Sequence, residues 1–228
     1  MSTLYLVPTP IGNLEDMTLR AIRILKEVDL ILCEDTSVTH RLLKEYNIVT
    51  KTSNFFSQSS QAKLKKVVEM LREGQTIALV SDAGTPTISD PGVLLVDAVR
   101  RDLPECSVIA LPGASALTTA LSASGVSSSE FIYLGFFPHK KGRETLFKEI
   151  SESDRTIVFY ESVHRIEKTL VSLAKLLDET RLVVIARELT KMHEEVVRGT
   201  AREVKEYFEI HQDKVRGEFV VIVEKRNK

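Results

Sequence analysis

Short, continuous apolar runs recur along the first half of the chain, separated by stretches with helical periodicity. The runs occupy residues 4–7, 29–34, 76–81 and 107–111. Runs of this length that are apolar at nearly every position, rather than at alternate positions, are typical of parallel strands covered on both faces. The alternation of strand and helix patterns predicts βαβ units and an α/β fold whose first sheet is mostly parallel.

The second half continues the alternation with a different kind of sheet. Apolar runs lie at 131–136, 155–160, 181–186, 194–199 and 217–225, and helical patterns lie near 142–152, 164–177 and 201–211. We expect antiparallel pairs among the last three strands, and therefore a mixed sheet. The serine-rich passage "VSSSEF" has turn chemistry and no apolar periodicity, which places a predicted boundary near residue 127. The prediction is an N-terminal α/β domain at 1–127 and a C-terminal α/β domain at 128–228.

Composition narrows the class of protein. The chain has 228 residues, of which 43% are hydrophobic and 28% charged, as in a globular protein folded throughout and large enough for two α/β units. No apolar run approaches the roughly 20 residues of a membrane span, and the first residues lack a signal-peptide pattern, so we expect a cytoplasmic protein. The net charge of −1 argues against a protein that coats nucleic acid but leaves a local binding patch open.

The cysteines and histidines do not indicate a metal site. Cys33 and Cys106 are the only cysteines, and they lie in different predicted strands. The five histidines never occur at ligand spacing. We therefore expect neither a disulfide framework nor a bound metal.

Polar loops follow each of the first four predicted strands. They read "VPTPIGN", "EDTSVTHR", "SDAGTPTISDPG" and "LPGASA". Because the carboxyl ends of parallel strands share one edge of a sheet, we expect these loops to meet around a common crevice that binds a polar small molecule.

The charges in these loops favour a cationic ligand. The loops carry Glu34, Asp35, Asp82 and Asp90 and no lysine, and the chain has neither a P-loop nor a dinucleotide-binding glycine motif. Acidic side chains suit a ligand with positive charge better than a polyphosphate. S-adenosylmethionine, with its sulfonium and ammonium groups, fits. The alternative is ordinary turn punctuation, with Asp90 before Pro91 acting as a helix N-cap.

The second half offers two further polar segments and one basic loop. The segments "FYESVHR" (159–165) and "ARELTKMHEE" (186–195) contribute either ligand contacts or an interdomain ion-pair network. The loop "FFPHKKGRE" (136–144) places Lys140, Lys141 and Arg143 beside two phenylalanines, a combination that can bind RNA phosphates and stack a base. The alternative for this loop is a solvated basic turn leading into a helix.

Eight segments that span nearly the whole chain resemble one family. They are "PTPIGNLEDMTLRA", "DLILCEDT", "ALVSDAGTPTISDPG", "LPGASALTTALSASG", "YLGFFPHKKGRE", "FYESVHRI", "ARELTKMHEE" and "GEFVVIVE". Together they resemble the ribosomal RNA small subunit methyltransferase I family of the tetrapyrrole methylase superfamily. Family motifs usually read EDTR where this chain has "EDTS" ending at Ser37, so a role of that arginine does not transfer, and Arg41 is a candidate substitute.

The resemblance implies a two-domain methyltransferase that binds S-adenosylmethionine in the cleft between its domains. It also implies a homodimer and, as methyl acceptor, the ribose 2′-hydroxyl of a cytidine in the decoding region of 16S ribosomal RNA. By motif position, the implied cofactor-binding residues are Pro8, Pro10, Gly12, Asp82, Gly84, Thr85, Ile88, Ser89, Asp90, Ser115, Ala116, Tyr160, Glu161, Glu188 and Leu189.

Catalysis on a ribose hydroxyl needs help, because the hydroxyl is a poor nucleophile at neutral pH. A general base or a cation near the forming alkoxide contributes roughly 10²–10⁴ in rate. Glu34 and Asp35 are the candidate bases, and Lys191 is the candidate cation. Three alternatives stay open: methylation of a tetrapyrrole or a protein side chain, a non-catalytic RNA-binding assembly factor, and a sugar- or nucleotide-binding module.

Overall fold

The first unit of the computed structural model, Met1–Ser115, is built on a five-stranded parallel sheet. Across both units, the structure describes residues 2–55 and 61–226. The strands of the first sheet are β1 (Thr3–Leu6), β2 (Leu30–Cys33), β3 (Thr52–Asn54), β4 (Thr76–Leu79) and β5 (Ser107–Ala110). Their order is β3-β2-β4-β1-β5, and every neighbouring pair is parallel, which confirms the predicted sheet.

One strand of this sheet was not predicted. β3 reads Thr-Ser-Asn, so it has no apolar run that could mark it, and it lies at the edge of the sheet beside β2. Edge strands are partly solvated and do not need the continuous apolar sequence of central strands.

Four helices cover the two faces of the sheet: α1 (Leu19–Glu27), α2 (Thr36–Glu45), α3 (Gln61–Arg72) and α4 (Val93–Asp102). Helices α1 and α2 share one buried core, and α3 and α4 share another. Right-handed crossovers produce this division, because the chain crosses the sheet one way from β1 through β2 to β3 and the other way from β3 through β4 to β5. Since β1 and β4 are neighbours, their carboxyl ends form a topological switch point, where α/β proteins bind ligands.

The second unit, Ala116–Lys228, contains a mixed sheet. Its strands are β6 (Phe131–Phe136), β7 (Thr156–Ser162), β8 (Leu182–Arg187), β9 (Glu195–Thr200) and β10 (Glu218–Val223), in the order β6-β7-β10-β8-β9. β6 and β7 are parallel, whereas β10 runs antiparallel to β7 and β8, and β9 runs antiparallel to β8. The predicted antiparallel pairs among the last three strands are therefore confirmed.

Helices α6 (Arg143–Glu152), α7 (Ile166–Leu176) and α8 (Ala201–Ile210) pack together on this sheet. Their amphipathic sequences bury Phe147, Leu170 and Phe208 in one core with alternate residues of the strands. Within residues 2–55 and 61–226, no helix combines the length and the apolar character needed to cross a bilayer.

Helix α5 (Ala116–Ser124) moves the observed boundary relative to the prediction near residue 127. It packs on β8, β9 and β10, so it belongs to the second unit and the division falls between Ser115 and Ala116. The serine-rich passage is also tied into the second unit, where Thr156 Oγ1 donates to Ser127 O at 2.7 Å. Turn chemistry marked a real loop, but the loop lies inside a unit rather than between two units.

Candidate functional site

The loops after β1 and β4 are joined by a short antiparallel bridge. Thr9 N donates to Gly84 O at 3.0 Å, and Gly84 N donates to Thr9 O at 2.9 Å. The buried hydroxyl of Thr9 adds a hydrogen bond to Ser81 O at 3.0 Å. The two loops at the switch point are therefore fixed to each other by three hydrogen bonds.

The loop after β5 contacts both of these loops. Thr85 Oγ1 donates to Ala114 O at 3.0 Å. Gly113 lies so close to Pro8 that a Cβ atom on Gly113 would fall 2.6 Å from the Cβ of Pro8. Ser115 follows directly as the last residue of the first unit, and Ala116 opens α5 in the second unit.

The loop after β4 has an unusual backbone. Gly84, Thr87 and Ser89 all have positive φ angles, of 83°, 75° and 65°, and the last two are not glycines. Positive φ in such residues is strained and persists only where the surrounding structure enforces it. Asp90 supplies part of that support, because its carboxylate accepts hydrogen bonds from Thr87 N at 2.6 Å and from Gly92 N at 2.7 Å.

Asp90 is not the N-cap of α4. That position is Gly92, without a side-chain hydrogen bond, and the helix begins at Val93. The alternative in which Asp90 caps a helix beginning at Pro91 is therefore wrong, because its carboxylate closes the loop instead. Partial burial raises the pKa of Asp90, although the two backbone N–H groups oppose the shift.

The two candidate bases after β2 have different environments. Asp35 caps α2, accepting a hydrogen bond from Ser37 N at 2.7 Å, and this bond lowers its pKa. Burial raises the pKa of Glu34, and the negative charges of Asp82 and Asp90 raise it further. The structure thus gives Asp35 a capping role and a lowered pKa, whereas the pKa of Glu34 is raised.

The loop after β2 also contacts the loop after β4. Asp35 N donates to Asp82 Oδ1 at 3.1 Å, and Asn54 Nδ2 fixes the carbonyl of Glu34 at 2.9 Å. All four polar loops predicted from the sequence therefore lie together at one edge of the first sheet.

A cavity of about 250 Å³ opens beside these loops. Pro10, Gly12 and Asp82, three of the predicted cofactor residues, contribute to its lining. The remaining lining residues are Thr9, Leu14, Val38, Thr39, Arg41, Leu42 and Ser81. Sequence reasoning missed Thr9 and Thr39, whose only signal is a hydroxyl in an otherwise apolar or proline-rich context.

The predicted residues Glu161 and Arg143 form a buried network in the second unit. Arg143 Nη1 donates to Glu161 Oε2 at 3.1 Å, and Arg165 Nε donates to Glu161 Oε1 at 2.8 Å. Thr169 Oγ1 donates to the same carboxylate at 2.7 Å. Glu161 is only 2% exposed, and its side chain is held by residues of the second unit. The cofactor role implied by the resemblance stays a prediction.

The basic loop divides into exposed and buried parts. Lys140 and Lys141 are exposed, whereas the guanidinium of Arg143 packs over the rings of Phe137 and Phe147 at 4.8 and 5.1 Å. The predicted RNA contact therefore suits the two lysines, and Arg143 is held inside the unit. Phe136, adjacent to this loop, is 62% exposed.

Tyr160 and the segment after β8 complete the predicted set in the second unit. Tyr160 packs against Tyr133 and Phe136, with centroids 5.3 and 5.1 Å apart, and burial raises its pKa. Lys191 Nζ pairs with Glu188 Oε1 at 2.9 Å and with Glu218 Oε2 at 3.2 Å.

These partners decide the charge of Lys191. Partial burial alone would lower its pKa, but the hydrogen bonds to the two glutamates outweigh burial and raise it. Lys191 is therefore a cation, as its predicted role requires. Leu189 is buried, and Glu188 has a φ of 49°. A larger cavity of about 440 Å³, on α7 and α8, contains none of the predicted residues.

Metal-ligand side chains are dispersed. Among residues 2–55 and 61–226, no group of three or more His, Cys, Asp or Glu side chains is placed to hold a metal ion. Cys33 and Cys106 are both buried free thiols.

Comparisons with known proteins agree with this geometry. The family described as Tetrapyrrole (Corrin/Porphyrin) Methylases matches residues 3–205. Ribosomal RNA small subunit methyltransferase I of Hydrogenobaculum sp. (strain Y04AAS1) is 46% identical over 227 residues, covering 98% of this chain and 96% of the relative. The protein of the same name from Thermotoga maritima is 44% identical over 223 residues, covering 98% of both chains.

A solved structure supports the fold. Uroporphyrin-III C-methyl transferase from Thermus thermophilus, complexed with S-adenyl homocysteine, is similar with a TM-score of 0.65 at 20% identity, covering 97% of both chains. The family match and the structural similarity therefore agree on the fold. The chain belongs to the tetrapyrrole methylases and, within them, to the ribosomal RNA small subunit methyltransferase I family.

Proposed function

We propose that this protein transfers a methyl group from S-adenosylmethionine to the ribose 2′-hydroxyl of a cytidine in 16S ribosomal RNA. The observation that carries the proposal is the identity of 44–46%, over nearly the whole chain, to relatives named ribosomal RNA small subunit methyltransferase I. The structural neighbours named for uroporphyrin methylation are only 18–20% identical. They support the fold and do not favour a tetrapyrrole acceptor.

The acidic loops of the first unit fit this cofactor by charge. Glu34 is partly buried near the negative charges of Asp82 and Asp90, and its pKa is raised for that reason. A cationic group placed among these carboxylates offsets both the burial and the mutual repulsion. When bound, the cofactor supplies an electrophilic methyl group on its sulfonium. The fixed loops around Thr9, Gly84 and Thr85 provide a preorganised site that limits access of water.

Glu34 is the proposed general base. Its carboxylate would accept the proton of the ribose 2′-hydroxyl as the oxygen bonds to the methyl carbon. The carbon–sulfur bond of the donor would break in the same step, and the neutral thioether S-adenosylhomocysteine would leave. A base whose pKa is raised toward the working pH is more effective than one with an ordinary carboxyl pKa. Asp35 is less suitable, because its carboxylate caps α2 and has a lowered pKa. Lys191 is proposed as the cation that stabilises negative charge on the acceptor.

The RNA-binding part of the proposal rests on the second unit. Lys140 and Lys141 are exposed and free to contact phosphates, and Phe136 presents an exposed ring to a base. Because Arg143 is held by Glu161, it is not part of this surface. We include the homodimer and a cytoplasmic location, where small ribosomal subunits are found, as finer parts of the same proposal. Light scattering on the purified protein tests the dimer.

Methyl transfer from labelled S-adenosylmethionine to unmethylated small ribosomal subunits tests the function. The expected product carries the label on ribosomal RNA, at a ribose whose 3′ linkage has become resistant to alkaline hydrolysis. The Glu34→Gln variant is the matched control for background labelling. Label on a base or on a ribosomal protein would contradict the ribose acceptor, and cofactor binding without any transfer would favour a non-catalytic assembly factor.

A further inference from the structure

The 250 Å³ cavity of the first unit adjoins the loop proposed to bind the cofactor. Ser81 and Asp82 belong both to its lining and to the loop after β4. The backbone N–H of Asp35, next to the proposed base Glu34, donates to Asp82 at 3.1 Å. The cavity therefore lies where an acceptor must be brought to meet the methyl donor.

The size and apolar walls of the cavity suit a single ring system. Its volume is below the roughly 300–1,000 Å³ of sites for drug-sized ligands. Pro10, Leu14, Val38 and Leu42 supply apolar surface. Leu14 and Val38 are 44% and 40% exposed, so their apolar surface is accessible to a ligand. Nucleic-acid bases stack on such surfaces.

Thr39 adds a hydrogen-bonding group to this wall. The residue is only 3% exposed, and its hydroxyl interacts with the buried thiol of Cys33.

Arg41 provides positive charge at the same place. Among the residues that line the cavity it alone is basic. In residues 2–55 and 61–226 its guanidinium forms neither a hydrogen bond nor an ion pair, although its charge lowers the pKa of Asp35. Arg143 and Arg165 differ, since both are paired with Glu161. A guanidinium whose donors are not used in protein hydrogen bonds is well suited to a phosphate, because its planar donors match phosphate geometry.

We infer that this cavity holds the nucleotide to be methylated, with the base between the apolar walls and an adjacent phosphate on Arg41. The inference rests on the proposed function, since it assigns the acceptor side of that reaction. It gives Arg41 a substrate-binding role one helical turn after Ser37.

Arg41→Gln tests the phosphate contact, with Arg100→Gln as the matched control. Arg100 is exposed in the last turn of α4 and does not line the cavity. We expect Arg41→Gln to raise the KM for unmethylated small subunits roughly tenfold, as expected for a lost hydrogen bond to a charged group. The slope of log affinity against log salt should shrink by about 0.7. Affinity for S-adenosylmethionine, measured by calorimetry, should not change.

Val38→Trp tests the cavity itself by filling it from a partly exposed helix position. We expect loss of methyl transfer and of small-subunit binding in a filter assay, while the melting temperature and cofactor affinity stay near wild type. Normal methylation by this variant would overturn the inference, as would an Arg41→Gln variant that matches Arg100→Gln in KM and salt slope.

The proposed function and the nucleotide site are contradicted by different results. A wild-type protein that binds small subunits without methylating them contradicts the proposed function, and the binding comparison between Arg41→Gln and Arg100→Gln still decides the nucleotide site. A wild-type protein that does not bind small subunits overturns both.

Discussion

Two glutamates, one in each unit, are both shielded from water but have charged neighbours of opposite sign. Glu161 in the second unit is almost fully buried, and two arginines, a threonine hydroxyl and the N–H of Ser162 satisfy its carboxylate. Glu34 in the first unit is partly buried near two other carboxylates, and burial and their charges both raise its pKa. Burial is common to both. Among the described residues, the charged side chains around Glu161 are cations that balance its charge, whereas those that shift the pKa of Glu34 are anions.

This difference in charged neighbours gives the two carboxylates different roles, one in the stability of the fold and the other in proton or ligand binding. A buried carboxylate that is balanced by neighbouring cations is costly to remove, because the cations are then left without a counter-charge. An unbalanced carboxylate favours a proton or a cation, which is what a general base beside a sulfonium donor requires. In the sequence, Glu34 and Glu161 each lie at the carboxyl end of an apolar run.

The largest expected effect is on turnover. Glu34→Gln should lower kcat for small-subunit methylation by about 10²–10⁴, the range for loss of a general base, while cofactor binding persists. Asp35→Asn is the matched control, because the amide oxygen can still accept the hydrogen bond from Ser37 N and the cap is kept. Single-turnover methylation measures the effect. Equal rates for the two variants would remove Glu34 from the mechanism.

The next effect is on stability and concerns the other glutamate. Glu161→Gln should lower the free energy of unfolding by about 3–5 kcal/mol, because Arg143 and Arg165 are left buried without a counter-charge. Glu130→Gln, which breaks the exposed Arg155 pair, should cost about 0–1 kcal/mol. Urea unfolding followed by circular dichroism compares them. Similar midpoints would show that the buried network does not stabilise the second unit.

The third effect concerns Gly84, in the loop after β4. Gly84→Ala should destabilise by about 1–2 kcal/mol, because φ is +83° and an L-residue is strained there. Gly74→Ala meets a similar strain at φ +94° with no atom within 4 Å of the new Cβ. We expect comparable losses of stability but a loss of cofactor affinity only for Gly84→Ala. Calorimetric titration of both variants decides, and equal affinities would exclude the loop from the site.

The smallest effect is a pH dependence of stability. Because the folded-state pKa of Glu34 is raised above its usual value, the ionised side chain costs stability at neutral pH, and that cost disappears as the pH falls through the folded pKa. Glu34→Gln should therefore be slightly more stable than wild type at pH 7, and the advantage should vanish at acid pH. Melting temperatures from pH 4 to 8 measure this, and a constant difference would contradict it.

The sequence was a good guide where one local rule decides the structure. Continuous apolar runs located nine of the ten strands in the part of the chain that the structure describes, and the shared edge of parallel strands predicted the convergence of the four polar loops. β3 was not predicted, because its three residues are polar and form no apolar run. The motifs also predicted which polar side chains lie in these loops.

The roles of individual charges could not be read in the same way. Arg143 sits in a basic run beside exposed lysines, yet its guanidinium packs on Phe137 and reaches a carboxylate from β7. Asp35 and Glu34 are neighbours in sequence, but one is a helix cap and the other is not. These assignments depend on residues far apart in the chain, which is why local pattern alone does not give them.

The reciprocal hydrogen bonds between Thr9 and Gly84 have a consequence for motion. Neither amide can be released without breaking the same bridge, so both should share one opening event in deuterium exchange. Two segments more than seventy residues apart thus behave as a single cooperative element, and loosening either one transmits to the other without any change in the sheet beneath.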